Sequence, residues 1–208
     1  MNERFVERTL RAFSDDLASS AAVPGGGSAA AYAGAMGAAL AAMVGRIAER
    51  KAQSDATTAL ISEADNLRSD FIRLVDDDSA AYARVSEAMK MPKASDEEKR
   101  ARTERIQASL LEASRVPLEV AKTSRRLLDL CERTVQSAAS ATVSDVGVGA
   151  LLAETALRGA ALNVMINLAS VKDAAQVKAL SEDLDRAVDG ADAQRKRITD
   201  FVDSRIAR

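Results

Sequence analysis

The stretch Val23-Pro24-Gly25-Gly26-Gly27-Ser28 runs directly into the Ala/Gly-rich segment Ala29–Gly45. Proline fixes φ and glycine permits sharp turns, so the first part predicts a turn, and Ser28 is placed to cap the helix that follows. At 100° per residue this helix has two faces, one almost without side chains and one bulkier, which predicts a buried helix with a neighbour on each side. The free amides at its glycine turn are a potential anion site. The first face comprises Ala30, Gly34, Gly37, Ala38, Ala41 and Gly45, and the second comprises Tyr32, Met36, Leu40, Met43 and Ile47.

The composition of the whole chain favours helices. Of 208 residues only 3% are aromatic and three are proline, while runs of β-branched residues with period-two alternation are scarce. We therefore predict an all-α fold, a single bundle of about six helices over residues 1–208, with the Ala/Gly-rich helix at its centre. The formal net charge of −2 argues against nucleic acid or an acidic membrane as the main partner.

The single cysteine and the charged N-terminus predict a location. Cys131 has no second cysteine to pair with, which fits a reducing compartment, and Met1–Arg11 lacks the apolar core of a secretory signal. Ser28–Gly45 is long enough to raise the alternative of a membrane span. Alanine and glycine gain little in lipid and no aromatic belt flanks the segment, so no membrane is expected and a cytoplasmic protein is predicted.

Helical periodicity gives approximate boundaries for the remaining helices. The first helix is predicted over about residues 3–19, and Pro117 is expected to kink or interrupt the fourth. Long helices with small-residue faces often complete their cores across a subunit interface, which predicts a homo-oligomer. The predicted N-terminal capping residues are Ser54 or Asp55 for the third helix, Ser95 with Glu98 for the fourth, Ser144 or Asp145 for the fifth and Asp173 for the sixth, which is predicted to extend to about Val202.

Asp78 interrupts the apolar stripe of the third helix. It follows Leu74 and precedes Tyr82 at helical spacing, so burial is expected. A buried carboxylate needs a cation, a hydrogen-bond network or a raised pKa, which leaves a functional site and a structural ion pair both open. Asp76 and Asp77 are predicted to face solvent.

Other polar residues also stand out. Asn163 and Asn167 lie four residues apart in an apolar run, where their amides need either backbone or ligand partners. Asp145 is either a helix cap or a site residue. Arg50 and Lys51 follow the central helix, where they can pair with its C-terminal carbonyls or hold an anion.

The residue inventory excludes several kinds of site. With no histidine and one cysteine, zinc ligation and Ser-His or Cys-His nucleophiles are excluded or nearly so. The glycine run lacks the Lys-Ser/Thr ending of a phosphate-binding loop. Asp76–Asp78 diverge on a helix, so no metal is expected. Proton transfer then depends on Asp, Glu, Lys or Tyr side chains.

Four segments together resemble the formimidoyltetrahydrofolate cyclodeaminase/methenyltetrahydrofolate cyclohydrolase family. They are PGGGSAAAYAGAMGAALAAMV (Pro24–Val44), Asp78-Ser-Ala-Ala-Tyr leading to MPKASDEEKRAR (Met91–Arg102), Val116-Pro117-Leu118, and SDVGVGALL (Ser144–Leu152) with ALNVMINL (Ala161–Leu168). The resemblance spans nearly the whole chain. It implies an all-helical homodimer with a folate site at or near the subunit interface, and a tetrahydrofolate derivative as the substrate.

The resemblance also implies roles for the residues singled out above. Asp78 is the expected proton-transfer group or cation stabiliser, with Asp145 second. The remaining expected substrate-binding residues are Gly25, Gly26, Gly27 and Ser28 in the turn, Arg50 and Lys51 for pterin or glutamate-tail groups, Ser144, and Asn163 and Asn167 as pocket walls.

Three hypotheses of function follow from these residues. The first is a folate enzyme, for which the absence of a formiminotransferase domain favours a cyclohydrolase, with a cyclodeaminase that releases ammonia as the alternative. The chain carries Ala80, Ala138 and Ala139 where the family usually has other residues, which motivates a non-catalytic folate- or ligand-binding relative. A purely structural helical dimer is the third reading, and Asp78 argues against it.

Overall fold

A computed structural model describes residues 4–207 of the chain, and these residues form seven α-helices and no strand. The predicted all-α bundle is confirmed. A short 3₁₀ helix, Phe5–Glu7, is followed by α1 (Leu10–Leu17), α2 (Gly26–Glu49), α3 (Asp55–Met89), α4 (Asp96–Ser137), α5 (Val143–Leu168), α6 (Ala174–Val188) and α7 (Ala191–Ile206).

The Ala/Gly-rich helix α2 lies at the centre of the bundle, against α3, α4 and α5. Its side-chain-poor face is buried as predicted, since its neighbours occupy the space that larger residues would need. A Cβ atom at Gly34 would lie 2.4 Å from the ring of Phe71 on α3, and one at Gly45 would lie 2.8 Å from Ile61. The glycines therefore permit α3 to pack directly on the backbone of α2.

Helices α2 and α5 run antiparallel and touch through their main chains. Gly26 lies beside Asn163 at one end, and a Cβ atom at Gly37 would lie 2.9 Å from the carbonyl oxygen of Gly149 further along. Both helices are long and apolar enough to cross a membrane by length and composition alone, but two thirds of the apolar window of α2 (67%) is buried in the bundle. That burial is what a core helix of a helical bundle shows.

Two predicted helices are interrupted in the structure. The first is broken where Arg8 and Thr9 adopt extended conformations, because the Thr9 side chain caps α1 by accepting a hydrogen bond from the amide of Ala12. Residue 3, the predicted start, lies outside the described residues. The predicted sixth helix is divided into α6 and α7 at Gly190, whose φ of 68° lies in the left-handed region that glycine tolerates.

Pro117 does not interrupt α4, which continues from Asp96 to Ser137. Proline has no amide hydrogen, so the carbonyl oxygen of Ala113, four residues earlier, loses its helical donor. The side chain of Asn167 on α5 replaces that donor, with Nδ2 2.8 Å from the carbonyl oxygen. The predicted interruption was wrong, since α4 continues through Pro117 and a neighbouring helix supplies the missing hydrogen bond; the alternative of a kink stays a prediction.

The predicted N-terminal caps of α3, α4 and α6 are confirmed. Ser54 caps α3, Ser95 and Glu98 form a reciprocal capping box on α4, and Asp173 caps α6. The prediction for α5 was wrong, because that helix begins at Val143 with Thr142 at the N-cap position. Asp145 lies within its first turn, where a carboxylate interacts favourably with the helix dipole.

Candidate functional site

A cavity of about 250 Å³ opens at the N-terminal end of α2, where α2, α3, α4 and α5 meet. It gathers six of the residues predicted from sequence, namely Gly25, Gly26, Gly27, Asp78, Asn163 and Asn167. Its other walls are mostly apolar and comprise Ala22, Val23, Ala81, Tyr82, Val85, Met89, Leu110, Ala113, Ile166 and Ser170. Apolar walls with a few convergent polar groups are typical of small-molecule sites.

Asp78 projects from α3 onto the first turn of α2. A Cβ atom at Gly27 would lie 2.1 Å from Oδ1 of Asp78 and 2.5 Å from its carboxyl carbon, so only glycine permits this approach. The carboxyl group is half-buried between the two helices. Burial raises the pKa of Asp78, and hydrogen bonds with Ser28, which favour the charged form, offset only part of that effect.

Ser28 lies behind Asp78 and does not line the cavity. It is completely buried, and its Oγ lies 3.0 Å from Oδ2 of Asp78, 2.9 Å from the carbonyl oxygen of Val75 and 3.2 Å from Oγ of Ser79. Neither the predicted capping role nor the predicted substrate contact fits this position. Gly25 occupies the N-cap of α2 instead, so Ser28 falls inside the helix and faces α3.

The two asparagines form part of the α5 wall. Nδ2 of Asn163 donates to the carbonyl oxygen of Gly159 at 2.8 Å, and no described residue donates to its Oδ1. Asn167 holds the Ala113 carbonyl that Pro117 leaves free. Each side-chain amide therefore has a backbone partner, on the same helix for Asn163 and on α4 for Asn167. Contact with a ligand stays a prediction, for residues that both border the cavity.

The other four predicted residues lie at the opposite end of the bundle. Arg50 and Lys51 follow the C-terminal end of α2, roughly 35 Å from Gly27 at 1.5 Å per residue. Ser144 and Asp145 lie in the first turn of α5, which runs antiparallel to α2, so they are at that same distant end. Within one chain the structure does not bring these residues to the cavity.

The far end has a groove of its own. It measures about 460 Å³ and contains three arginine residues, of which Arg46 and Arg68 both bind Asp65. The third is Arg50. Ala138 and Ala139 also lie near this end, after α4, and Ala80 is exposed on α3, so none of these three alanines lines the cavity.

Sequence reasoning missed Ser79 and misplaced Asp76. Ser79 is buried beside Ser28, and only its position next to Asp78 marked it in the sequence. Asp76 accepts hydrogen bonds from the backbone amide of Phe5 and the side chain of Arg4, which attaches the N-terminal segment to α3. Asp77 pairs with Arg73 on the helix surface, as its predicted solvent-facing position implies.

Comparison with known proteins assigns the chain to a family. A family model described as formiminotransferase-cyclodeaminase matches residues 9–186. The chain belongs to this family. It is 37% identical over 202 residues to the methenyltetrahydrofolate cyclohydrolase of Methylorubrum extorquens, covering 95% of this chain and 97% of that protein. It is 36% identical to the formimidoyltransferase-cyclodeaminase of Rattus norvegicus over 82% of this chain, which corresponds to 32% of that protein.

A solved structure shares the fold. The formiminotetrahydrofolate cyclodeaminase of Thermotoga maritima superposes with a TM-score of 0.84 at 24% identity, covering 95% of this chain and 97% of that one. The family model and the relative from Methylorubrum extorquens confirm the resemblance inferred from the sequence motifs. Within residues 4–207 no three His, Cys, Asp or Glu side chains are grouped to hold a metal ion.

Proposed function

We propose that this member of the formiminotransferase-cyclodeaminase family is a methenyltetrahydrofolate cyclohydrolase. The observation that carries the proposal is the carboxyl group of Asp78, which is held on the wall of an apolar cavity with a raised pKa. Similarity along almost the full length of the Methylorubrum extorquens cyclohydrolase supports this activity. By contrast, the chain spans about a third of the formimidoyltransferase-cyclodeaminase of Rattus norvegicus.

The proposed reaction needs one group that both takes and gives a proton. Water adds to the methenyl carbon between N5 and N10, and Asp78 accepts the proton that this water loses. The bond from that carbon to N5 then breaks as Asp78 returns a proton to N5. The hydroxyl group on that carbon loses its proton to solvent and becomes the formyl oxygen, and 10-formyltetrahydrofolate leaves. A carboxyl group with a raised pKa is suited to both steps near neutral pH.

The cavity size indicates which part of the substrate enters. About 250 Å³ is just below the range of roughly 300–1,000 Å³ that is usual for whole drug-sized ligands. We expect the reacting ring system to occupy it, beside Asp78, with the rest of the folate extending outside. We expect Oδ1 of Asn163, to which no described residue donates, to accept a hydrogen bond from a donor on the ligand's rings.

Ammonia release from formimidoyltetrahydrofolate is the second candidate activity. It also passes through a tetrahedral carbon between N5 and N10, but there the attacking N10 loses a proton and the departing nitrogen gains protons and leaves as ammonia. Relatives named formimidoyltransferase-cyclodeaminase favour it. A site that binds folate without turnover is the third candidate, motivated by Ala80, Ala138 and Ala139. None of these alanines lines the cavity, so their presence is weaker evidence against catalysis than it is from the sequence alone.

We also propose that the chain forms a homodimer through the outer faces of α2 and α5. These neighbouring helices expose an unusual number of large apolar side chains, and such faces mark interaction sites. They are Met36 and Met43 on α2 and Val148, Leu151, Leu162, Met165 and Ile166 on α5. Cys131 is fully buried and has no part in this contact.

A twofold axis crossing the middle of this face would bring the predicted site residues from the two ends of the bundle together, one set from each subunit. The two ends of α2 are about 35 Å apart in one chain, but in an antiparallel pair each N-terminal end meets the partner's C-terminal end. Arg50, Lys51, Ser144 and Asp145 of one subunit would then approach the cavity of the other. Their separation within one chain supports the dimer proposal, and a cytoplasmic dimer is what we propose for the cell.

The experiment that tests the activity follows the methenyltetrahydrofolate chromophore with wild type and Asp78→Asn. Enzyme-dependent loss with wild type and its absence in the variant are expected. Ammonia release from formimidoyltetrahydrofolate, measured in parallel, identifies a cyclodeaminase instead. Binding of folate without either reaction would support the ligand-binding relative, and equal turnover by both proteins would remove Asp78 from the mechanism.

A further inference from the structure

The hydroxyl group of Ser28 is surrounded by three oxygen atoms with only one hydrogen to donate. Its Oγ lies 2.9 Å from the carbonyl oxygen of Val75, 3.0 Å from Oδ2 of Asp78 and 3.2 Å from Oγ of Ser79. Ser28 is completely buried, so water does not complete the arrangement. A serine hydroxyl donates one hydrogen bond and accepts two, which limits how these contacts can be made.

The neighbours of Ser28 differ in what they need. The carbonyl oxygen of Val75 lies inside α3, where the amide four residues later, that of Ser79, already donates to it. The carboxyl group of Asp78 has Ser28 as its one hydrogen-bond partner among the described residues, through both the hydroxyl group and the backbone amide of that serine. The Ser79 hydroxyl is buried too, and Ser28 is its one side-chain neighbour within hydrogen-bond distance in the described chain.

We propose that Ser79 and Ser28 form a directed hydrogen-bond chain, in which Ser79 Oγ–H donates to Ser28 Oγ and Ser28 Oγ–H donates to Oδ2 of Asp78. Because Ser79 fills an acceptor position on Ser28, the hydrogen of Ser28 is directed at the carboxyl group. Oδ2 is thereby kept as an acceptor. The two serines are positioning residues, and the proposal deepens the role given to Asp78 in the proposed function.

This hydrogen-bond chain determines which oxygen of Asp78 carries the mobile proton. Oδ1 is the atom nearest to where a Cβ of Gly27 would stand, and Gly27 lines the cavity. With Oδ2 occupied, a proton gained from substrate water attaches to Oδ1 and is returned from there. The carboxyl group can then change its charge without rotating, which keeps the reacting oxygen in place.

No charged side chain among the described residues lines the cavity beside Asp78, so none there can shift its pKa. The described residues that line it from outside α3 are alanine, valine, glycine, leucine, asparagine, isoleucine and serine, and Tyr82, on α3 itself, is the one other titratable group among them. Asp76 and Asp77 have partners of their own elsewhere. A change in the titration of Asp78 therefore reports on Ser28 and Ser79 rather than on a nearby ion pair.

The test is the titration of Asp78 in the folded protein, followed by NMR with ¹³C-labelled aspartate. Asp78→Asn identifies the resonance by its loss. Removal of the donor in Ser28→Ala is expected to raise the pKa of Asp78 by about one unit, since a hydrogen bond to a charged group is lost. Ser79→Ala is expected to raise it by roughly half as much, because Ser28 is then free to turn toward Val75.

Ser124→Ala is the matched control. Ser124 is as completely buried as Ser28, and its hydroxyl donates to the carbonyl oxygen of Val120 on its own helix, with no carboxylate in contact. This variant should leave the pKa of Asp78 unchanged. An unchanged or lowered pKa in Ser28→Ala, or an equal rise in the control, would overturn the hydrogen-bond chain. If Ser28→Ala does not fold, the same criteria applied to Ser79→Ala decide.

Enzyme kinetics separate this proposal from the proposed function. Ser28 does not line the cavity, so Ser28→Ala should lower kcat with little change in KM, and the pH profile of kcat should move upward with the pKa. A pH profile that stays fixed while the NMR titration moves would overturn the catalytic part of the proposal. If wild type turns over no folate, the proposed function fails while the titration still decides the hydrogen-bond chain.

Discussion

A methyl group on Gly27 would lie 2.1 Å from Oδ1 of Asp78, closer than any real contact of a Cβ atom. The glycine run at the start of α2 and the carboxylate on α3 are thus one structural unit. Fifty-one positions separate them in sequence, yet the carboxyl group lies where a side chain would be. A substitution at Gly27 therefore tests the position of the Asp78 carboxyl group.

Gly27→Ala is expected to displace the carboxyl group of Asp78 while leaving α2 helical, since alanine is a good helix former. A displacement of about 1 Å at a reacting group costs roughly 100-fold in rate, so we expect a loss of kcat of that order with the protein still folded. Steady-state kinetics and circular dichroism provide the measurement.

Gly26→Ala is the matched control for this change. A Cβ atom at Gly26 would lie 3.5 Å from Nδ2 of Asn163, an ordinary van der Waals distance. Because Gly26 lines the cavity, its added methyl group can change KM, but kcat is expected to fall far less than in Gly27→Ala, since the methyl group does not reach the carboxyl group of Asp78. Equal losses in the two variants would mean that the glycine run acts through something other than the position of Asp78.

Asp78→Asn is expected to abolish activity and to stabilise the fold at neutral pH. Burial raises the pKa of Asp78 in the folded protein above its unfolded value, so the stability linked to this group is fully present below the unfolded pKa and is lost as pH rises through the folded pKa. Asparagine carries no charge to desolvate. The melting temperature of Asp78→Asn should exceed that of wild type by a few degrees at pH 7, and the two melting temperatures should converge at acidic pH.

Thermal melts over a pH series check this prediction. A gain for Asp78→Asn that grows toward acidic pH would contradict it, because that pattern belongs to a carboxylate whose pKa is lowered on folding. Asp65, whose pKa is lowered chiefly by its hydrogen bond with Arg46, provides the opposite case. Asp65→Asn should lose stability relative to wild type as pH rises from acidic to neutral.

Pro117 and Asn167 are expected to be energetically coupled through Ala113. Asn167→Leu leaves the Ala113 carbonyl without its donor, which should cost about 1–2 kcal/mol. In the background of Pro117→Ala, residue 117 supplies a helical amide to that carbonyl, so the same substitution should cost less. Urea unfolding of the four proteins in a double-mutant cycle measures the coupling.

Additive free-energy changes in that cycle would show that Asn167 does not serve the carbonyl released by the proline. Asn163→Leu is a suitable comparison, because its Nδ2 bonds to the Gly159 carbonyl on its own helix and not to α4. Its effect should be independent of residue 117.

Leu151→Asp is expected to convert the proposed homodimer to monomers, since it places a charge on the exposed face of α5. Activity should fall with the dimer if the far-end residues of one subunit complete the cavity of the other. Ile206→Asp changes a still more exposed apolar residue on α7, away from this face, and should leave the mass unchanged. Sedimentation velocity gives both results, and a monomeric wild type would refute the dimer.

The sequence predicts those features that depend on residue type and short spacing. The buried, side-chain-poor face of α2 follows from its glycines and alanines alone, and the Ser95–Glu98 capping box lies within four residues. Asp78 was identified because it interrupts an apolar stripe. These signals are local, and the structure preserves them.

Features that depend on the pairing of distant segments were not predictable in this way. Whether Ser28 caps its own helix or faces α3 depends on a helix start shifted by a few residues. The continuity of α4 at Pro117 depends on Asn167, which lies on another helix. The distance of Asp145 from Asp78 depends on the antiparallel direction of α5, which periodicity does not encode.

The contact between Gly37 and Gly149 joins α2 and α5 through backbone atoms. Their spacing is therefore fixed by the peptide geometry itself and is independent of the volume of any core side chain. We therefore expect substitutions elsewhere in the core to leave the spacing of these two helices, which both line the cavity, largely unchanged. Such a spacer would let the bundle keep its fold while its sequence diverges, and the shared fold at a TM-score of 0.84 and 24% identity shows how far that divergence extends.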